Sequence, residues 1–443
     1  MEPNILLDAL LEEAGMSHMG LAVRINEEGR KQGLNLRYDN TAVIRWLRGQ
    51  RPRGRVPGLI CAVLSAKLGR PVTLDDAGMG LVGARMPAGS LNGFLDRATA
   101  MWRSDEQRRV RSIRVMDGME AVAPVWEWEN PPEDIDVSRR GSLSVSLDDV
   151  AVVRTVRSHY EQMYRRVGGV ATRGRIVSFL NTEATPLVRG SYSDATGREL
   201  HRAIGGLVAV AGICSYDADQ QGLAQRYFYQ ALRLAKASGD RRFGGYVMVL
   251  LVNQAVYMRD YRQAVAFAEA ALRTAGTHIS PALAADLHAM QAKAFARIGD
   301  RNSAHRGMRD AEKALWRIRR DEEPAETGYV QAGLVEAHFA EAFLSMGDTK
   351  SAQTYAQEAV DTQAHARGRV HRLATLARAE AVGGDTERAA ATAMEMVQMA
   401  KGMESHRLRD RLVSVRTVLA QHRAKASADA VALIDDTLRV PID

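Results

Sequence analysis

Asp39-Asn40-Thr41-Ala42-Val43-Ile44-Arg45-Trp46-Leu47-Arg48-Gly49 reads as one short helix with two unlike faces. Val43, Trp46 and Leu47 fall at i, i+3 and i+4 and share an apolar stripe. Asn40, Thr41, Ile44, Arg45 and Arg48 point the other way. Asp39 offers an N-cap carboxylate to the free amides of the first turn. Gly49 offers the left-handed residue that stops a helix. Gln50-Arg51-Pro52-Arg53-Gly54-Arg55 follows, a loop too basic and too rigid to join a core. From Thr41 to Leu74 there are seven Lys or Arg and no acid. A helix with a polar outer face and a dense positive edge behind it suits the groove of double-stranded DNA.

The neighbouring stretches supply the core this helix needs. Asn4 to Ala14 makes a first helix, with Leu6, Leu7, Leu10 and Leu11 on one stripe. Ser17 caps a second, which carries Leu21, Ala22 and Ile25 inward. Val56 to Leu68 follows the basic loop, with Leu59, Ile60, Val63 and Leu64 apolar, and Pro71 to Asp76 starts a short last element. Several short helices in one stretch make a compact all-α domain. Residues 1–80 hold 11 basic and 9 acidic residues, so the positive charge there is placed rather than abundant.

Ser17…Leu21-Ala22…Ile25, then Val43-x-x-Trp46-x-x-Gly49, then an apolar helix ending in Leu68-Gly69, resemble the XRE (Cro/repressor-like) helix-turn-helix. The resemblance covers roughly residues 4–80. The chain departs from that pattern by about eleven extra residues, Asn26 to Leu36, between the second and third helices. The resemblance implies that the outward face of the third helix reads bases, through Asn40, Thr41, Ile44, Arg45 and Arg48. Asn pairs bidentately with adenine, Arg with guanine, and an exposed Ile touches a thymine methyl. It assigns Arg51, Arg53, Arg55 and His18 to phosphate, which positions the protein without specifying sequence. The same arginines also read as a solvated loop.

Pro87 to Asn92 reads as a hinge, and Asn92 to Arg103 as a helix with Phe94, Leu95 and Ala98 inward. Val122 to Trp128 (VAPVWEW), with Pro131-Pro132 close behind, reads as loop or short extended structure. Trp126 and Trp128 are expected to pack against a neighbouring domain. Ser146 or Asp148 opens a helix to Arg166, and a further helix runs from Thr172 to about Asn181.

From Leu207 onward one pattern recurs. A small residue is followed twelve positions later by Ala, four later by an apolar residue, and three later by another small one. The sets are Gly212/Ala224/Phe228/Ala231, Val252/Ala264/Ala268/Ala271, Ala292/Ala304/Met308/Ala311, Ala340/Ala352/Ala356/Ala359 and Ala377/Ala389/Ala393/Met396. Asp260, Asp300, Asp348 and Asp385 sit in the turns before the alanines. These units resemble tetratricopeptide (TPR) repeats, which stack because no unit buries its core alone. The inner helices of such a stack would line one groove with Tyr216, Tyr246, Asn253, Tyr257, Asp286, Lys293, Arg297, Glu341, His371 and Arg378. That surface reads either as a solvated face or as a site for an anionic effector, a short peptide or a small molecule. Met394, Met396, Met399 and Met403 read as core.

Composition bounds the remaining possibilities. The chain has 443 residues and a net charge of +7, is 46% hydrophobic, and has two widely separated cysteines, Cys61 and Cys214. The longest apolar run, Ala203 to Cys214, is too short to span a bilayer. The amino terminus lacks a signal peptide's basic start, and a cytoplasmic location is expected. No metal-ligand spacing, no phosphate-cradling glycine loop and no catalytic constellation can be assigned, so neither enzyme activity nor a cofactor is expected.

The expected fold is all-α: an N-terminal helix-turn-helix domain plus a C-terminal TPR-like α-solenoid. The division is 1–80 DNA-binding domain, 81–145 linker, 146–195 helical connector, 196–402 repeats and 403–443 capping helices. The arrangement resembles long transcriptional regulators of filamentous actinobacteria, and Gram-positive receptors that join the same two modules and bind signalling peptides. The expected function is that of a dimeric DNA-binding regulator. The alternative is a TPR scaffold that uses the helix-turn-helix fold for protein contact.

Overall fold

The computed structural model describes residues 3–440, apart from 70, 71, 73, 75, 80–89, 108–112 and 132 and the Thr277 side chain. The protein is all-α. Among the described residues there is no strand, only the isolated bridges Arg139–Tyr192 and Ser144–Ser191. The chain forms two compact units. One joins Met1–Val115, Val137–Val145 and Val177–Ser193; the other joins Met116–Asp136, Ser146–Ile176 and Asp194–Asp443.

The first unit begins with α1 (Ile5–Glu13), α2 (His18–Lys31), α3 (Asn40–Leu47), α4 (Val56–Leu68) and α5 (Leu91–Glu106). Each of the first three starts where a polar side chain satisfies an otherwise free amide. Asn4 accepts from the Leu7 amide, Ser17 from Gly20, and Asp39 from Ala42. Leu7, Leu21, Ile25, Val43, Trp46, Ile60 and Leu64 meet in one core. Each such burial stabilises the unit by about 1.5–3 kcal/mol relative to exposure.

The long connection between α2 and α3 is packed against the core rather than free. Asn26 donates to the Tyr38 carbonyl (2.8 Å) and accepts from its amide (2.9 Å). The Tyr38 ring meets Trp46 edge-on at 5.0 Å. Gly29 lets the loop come down on α2, because a Cβ there would lie 2.6 Å from Leu36 Cδ1. The extra residues are therefore divided between two further turns of α2 and a loop stitched to it. Half of the hinge expected at Pro87–Asn92 and half of the element at Pro71–Asp76 fall outside the described residues. Ser90 caps α5, on which Leu95 and Ala98 are buried while Phe94 is half-buried.

Beyond α5 the chain alternates between the units. α6 (Gly118–Glu129) belongs to the second. This corrects the expectation of loop at Val122–Trp128. Pro124 sits inside the helix and removes one backbone bond. The buried stripe Ala121, Val125 and Trp128 outweighs that loss. The Tyr229 hydroxyl donates to the Ala121 carbonyl at 2.8 Å. The Trp128 ring occupies the space above Gly244, where a Cβ would collide with the indole nitrogen. Trp126 is 58% exposed. Only one tryptophan of the pair packs, and it does so within its own unit.

Ser146 and Asp149 form a capping box for α7 (Leu147–Val167), and α8 (Gly169–Phe179) follows. A π-helical turn, Leu180–Ala184, and α9 (Thr185–Val188) return to the first unit. There Asn181 bonds Glu106, Arg189 reaches Thr99 (3.0 Å) and Asp96 (3.4 Å), and Arg139 donates to Asn92 (2.5 Å). These bonds make residues 137–145 and 177–193 part of the first unit, where the sequence division had placed linker and connector.

The rest of the second unit is a series of helix pairs. They are α10 (Asp194–Asp217) with α11 (Gln221–Ser238), α12 (Arg241–Tyr257) with α13 (Tyr261–Ala275), and α14 (Pro281–Ile298) with α15 (Arg301–Leu315). Then come α16 (Leu334–Met346) with α17 (Thr349–Asp361), α18 (Ala366–Val382) with α19 (Thr386–Ala400), and α20 (His406–Leu419) with α21 (Lys425–Arg439). Each pair packs on the next, and the first helices α10, α12, α14, α16, α18 and α20 follow one another in contact. Every residue of the five recurrent sets, Gly212 through Met396, is buried. Their small side chains are what lets paired helices approach. Asp260, Asp300, Asp348 and Asp385 are the N-caps of the second helices, accepting from Gln263, Ser303, Ser351 and Arg388.

One buried carboxylate ties the ends of this series together. Asp217, at the end of α10, is fully buried. It accepts from the Gly169 amide (2.7 Å), from Arg367 at the start of α18, and from the Ser405 hydroxyl that caps α20 (2.7 Å). The first pair thus meets the fifth and sixth. The Glu404 amide also donates to the Val167 carbonyl at 2.9 Å, so the end of α7 is bound at the same junction.

Candidate DNA-reading surface and ligand chamber

The first unit presents α3 as the sequence implies. Ala42, Val43 and Trp46 are buried, which fixes the helix in place. Asn40, Thr41, Arg45 and Arg48 are exposed and Ile44 is half-buried. Asn40 and Thr41 occupy the first turn, Arg45 the second, and Arg48 is the C-cap. Gly49, at φ +97°, ends the helix. Arg51, Arg53 and Arg55 are all exposed in the following loop. None of these arginines meets a carboxylate within 4 Å among the described residues. His18 lies in the first turn of α2, half-buried.

In the second unit a chamber of about 1050 Å³ lies among the first helices of the pairs. All ten residues assigned to the groove from sequence line it: Tyr216, Tyr246, Asn253, Tyr257, Asp286, Lys293, Arg297, Glu341, His371 and Arg378. They come from α10, α12, α14, α16 and α18, and equivalent positions on successive inner helices bring them together. The stretches bounding the chamber on its other sides were not anticipated. Glu161, Tyr164 and Arg165 come from α7, and Arg407, Asp410 and Arg411 from α20. The i, i+4 spacing of Arg407 and Arg411 was the available signal, but it looks like an ordinary basic surface.

Several groove residues are engaged with one another. Glu341 pairs with Lys293 and, at 2.6 Å, with Arg411. Burial works to raise the Glu341 carboxyl, but Arg411 and Lys293 outweigh it and hold it well below the usual range. Tyr329 donates to Asp286 at 2.7 Å, and the His338 ring nitrogen lies 3.4 Å from the same carboxylate. Tyr257 donates to Asp410. His371 is held well below its ordinary value, by burial first and then by the Arg367 and Arg411 charges, so it is neutral at pH 7.

Some buried polar atoms here lack a hydrogen bond. Arg407 lies over both the Tyr216 and the Tyr257 rings, 4.2 Å from each centroid. Its Nη1 is buried without a hydrogen bond, as are Tyr216 Oη and Arg378 Nε. Burial, and then the neighbouring Arg411 charge, pull the Arg407 guanidinium down to about 9. It remains a cation at neutral pH. Nine Lys or Arg and four Asp or Glu line the chamber, an excess of five positive charges.

No group of His, Cys, Asp and Glu suited to a metal occurs among the described residues, and no described helix is long and apolar enough to cross a membrane. A family model described as the SP15 N-terminal domain matches residues 7–80, the span of α1 to α4 and the segment after it. No curated protein matches this chain at a significant level.

Proposed function

We propose that this protein is a sequence-specific, dimeric DNA-binding transcriptional regulator. In this reading the first unit carries an XRE-type helix-turn-helix, and the helix pairs are TPR-like repeats whose chamber takes an anionic effector. The observation that carries it is the division of α3. One face is locked into the core by Val43 and Trp46, while Asn40, Thr41, Arg45 and Arg48 are left exposed on the other. A rigid helix with free amide and guanidinium groups, followed by exposed arginines, has the chemistry for base edges and flanking phosphates.

A dimer follows from the reading of half-sites, since two-fold proteins read two-fold operators. For an effector to act, it must bind one placement of the paired DNA-reading helices more tightly than another. A coupling of about 1–3 kcal/mol switches occupancy.

The test is selection of DNA fragments from a random pool by the full chain, then gel shift of the enriched sequence at rising salt. An enriched two-fold motif, bound with a steep salt dependence, is the expected result. No enrichment, with no shift at low salt, overturns the proposal and leaves the protein-contact reading of α3. Light scattering is expected to give twice the 48.6 kDa chain mass.

A further inference from the structure

The chamber holds more positive charge than its own residues neutralise. Lys293 and Arg297 stand one turn apart on α14, Arg407 and Arg411 one turn apart on α20, and Arg378 comes from α18. Glu341 serves Lys293, Arg411 and Arg378, and Asp410 acts on Arg407. Glu341 is already paired with Lys293 and Arg411, and Arg378 acts on it at longer range. Among the described residues, Arg297, Arg378 and Arg407 have no carboxylate within 4 Å. Burial lowers both Arg378 and Arg407; Glu341 offsets part of this at Arg378 and Asp410 part at Arg407, while Arg411 and Arg297 oppose the Arg378 charge and Arg411 that of Arg407. Arg297 is exposed at the chamber's edge while Arg378 and Arg407 are half-buried, and like charges repel more strongly as water is withdrawn. A bound anion would relieve that repulsion.

The geometry points to a small molecule carrying at least two phosphate charges as the ligand of this chamber, gripped by Arg297, Arg378 and Arg407. A single carboxylate neutralises one of the unpaired cations and leaves the others facing each other. A diphosphate group supplies several negative charges and acceptor oxygens in a compact tetrahedral array, and planar guanidinium forks match it. Beside this space Arg407 Nη1, Arg378 Nε and the hydroxyl of Tyr216 are closed to water and without a hydrogen bond, so the site is not satisfied by its own residues. The π faces of Tyr216 and Tyr257 hold the Arg407 plane, so its edge is preset before a ligand arrives. Size argues the same way. About 1050 Å³ is at the upper end of small-molecule sites, and α7 and α20 border the space that an extended peptide would need to run through. Two ligand sources share this chemistry, an inorganic diphosphate and a nucleotide.

The inference rests on the reading of the chamber as an effector site, and it is independent of DNA binding. The experiment is calorimetric titration and thermal melting of the full chain with sodium pyrophosphate, ATP, citrate and a short acidic peptide, each at matched ionic strength. Pyrophosphate or ATP is expected to raise the melting temperature and to bind at least tenfold more tightly than citrate or the peptide. Tighter binding of ATP than pyrophosphate identifies a nucleotide; equal binding identifies the bare diphosphate group. The Arg297→Gln/Arg378→Gln variant is expected to lose at least tenfold in affinity while melting no lower than wild type without ligand, because repulsion is relieved. That second readout separates a binding role from a structural one. Stronger binding of citrate or peptide overturns the phosphate assignment and leaves the effector reading standing. Binding of none of the four overturns both, and equal response of wild type and variant overturns the assignment to this chamber.

Discussion

Replacing Asp217 by Asn should loosen the whole second unit, because four segments far apart in sequence converge on that carboxylate. Its partners are the Gly169 amide, the Arg367 guanidinium and the Ser405 hydroxyl, 48, 150 and 188 residues away. Asn keeps one acceptor oxygen and removes the charge. Arg367, 5% exposed, is then a buried cation with no counter-charge in contact. Breaking a buried pair from one side costs about 3–5 kcal/mol. In a domain this large each kcal/mol moves the midpoint by about 2–4 °C, so a drop on the order of 10 °C is expected by calorimetry. The same reasoning fixes a second result. Asp217→Leu combined with Arg367→Met removes both charges at once, and it should recover part of the loss, since no isolated charge remains. If Asp217→Asn melts within about 1 °C of wild type, or if the double variant is less stable than the single, the carboxylate does not tie these segments together.

Arg45→Ala should abolish preference for the selected DNA while keeping binding to random DNA; removing one bidentate pairing with a base costs about 1–3 kcal/mol, and competition gel shifts with specific and random duplexes measure it. Replacing Arg51, Arg53 and Arg55 together by Gln should weaken binding to every sequence and flatten the slope of log K against log salt by up to about 0.9 for each phosphate no longer neutralised; an unchanged slope refutes phosphate binding by this loop. Gly29→Ala should cost less than about 1 kcal/mol by urea melting, since Leu36 must swing away from a Cβ 2.6 Å from its Cδ1 while alanine gains about 1 kcal/mol over glycine within a helix. Finally, acidification should destabilise the second unit through His365. Burial, then Arg165 and Arg367, lower its pKa to about 4, and its Nδ1 accepts the Gly368 amide at 3.1 Å. The unfolded chain takes up the proton near 6.5 and the folded one only near 4, so stability present above pH 6.5 is lost as pH falls through that window. His365→Asn, which keeps a capping acceptor, should reduce the loss seen in melts at about pH 7 and about pH 5, on either side of the ordinary histidine value.

The parts of this protein that depend on neighbours one or two turns away were legible in the sequence. The helix caps Ser17 and Asp39 need only a short polar side chain before an apolar run. The buried alanines repeat because each helix crossing demands a small residue at the same place. The ten groove residues could be counted out for the same reason: equivalent positions on successive inner helices face one way. What could not be counted was set by packing between distant segments. At Pro124 a local rule favouring loop lost to the burial of Ala121, Val125 and Trp128. The contiguous domain division failed at residues 137–145 and 177–193 because side chains such as Arg139 and Arg189 bind partners some 50 to 90 residues earlier. The boundary of the chamber was hidden for a related reason. α7 and α20 border it because they pack on α10 and α18, where Asp217 also meets Arg367 and Ser405. Periodicity gives the face of each helix, but the angle between successive pairs accumulates over the series and leaves no periodic mark. An open groove with three cations on its inner helices is an ordinary solvated surface. The same three are joined by Arg407 and Arg411 from α20 and faced by α7 around one chamber, a gathering of charge that no repeat position on the inner helices announces.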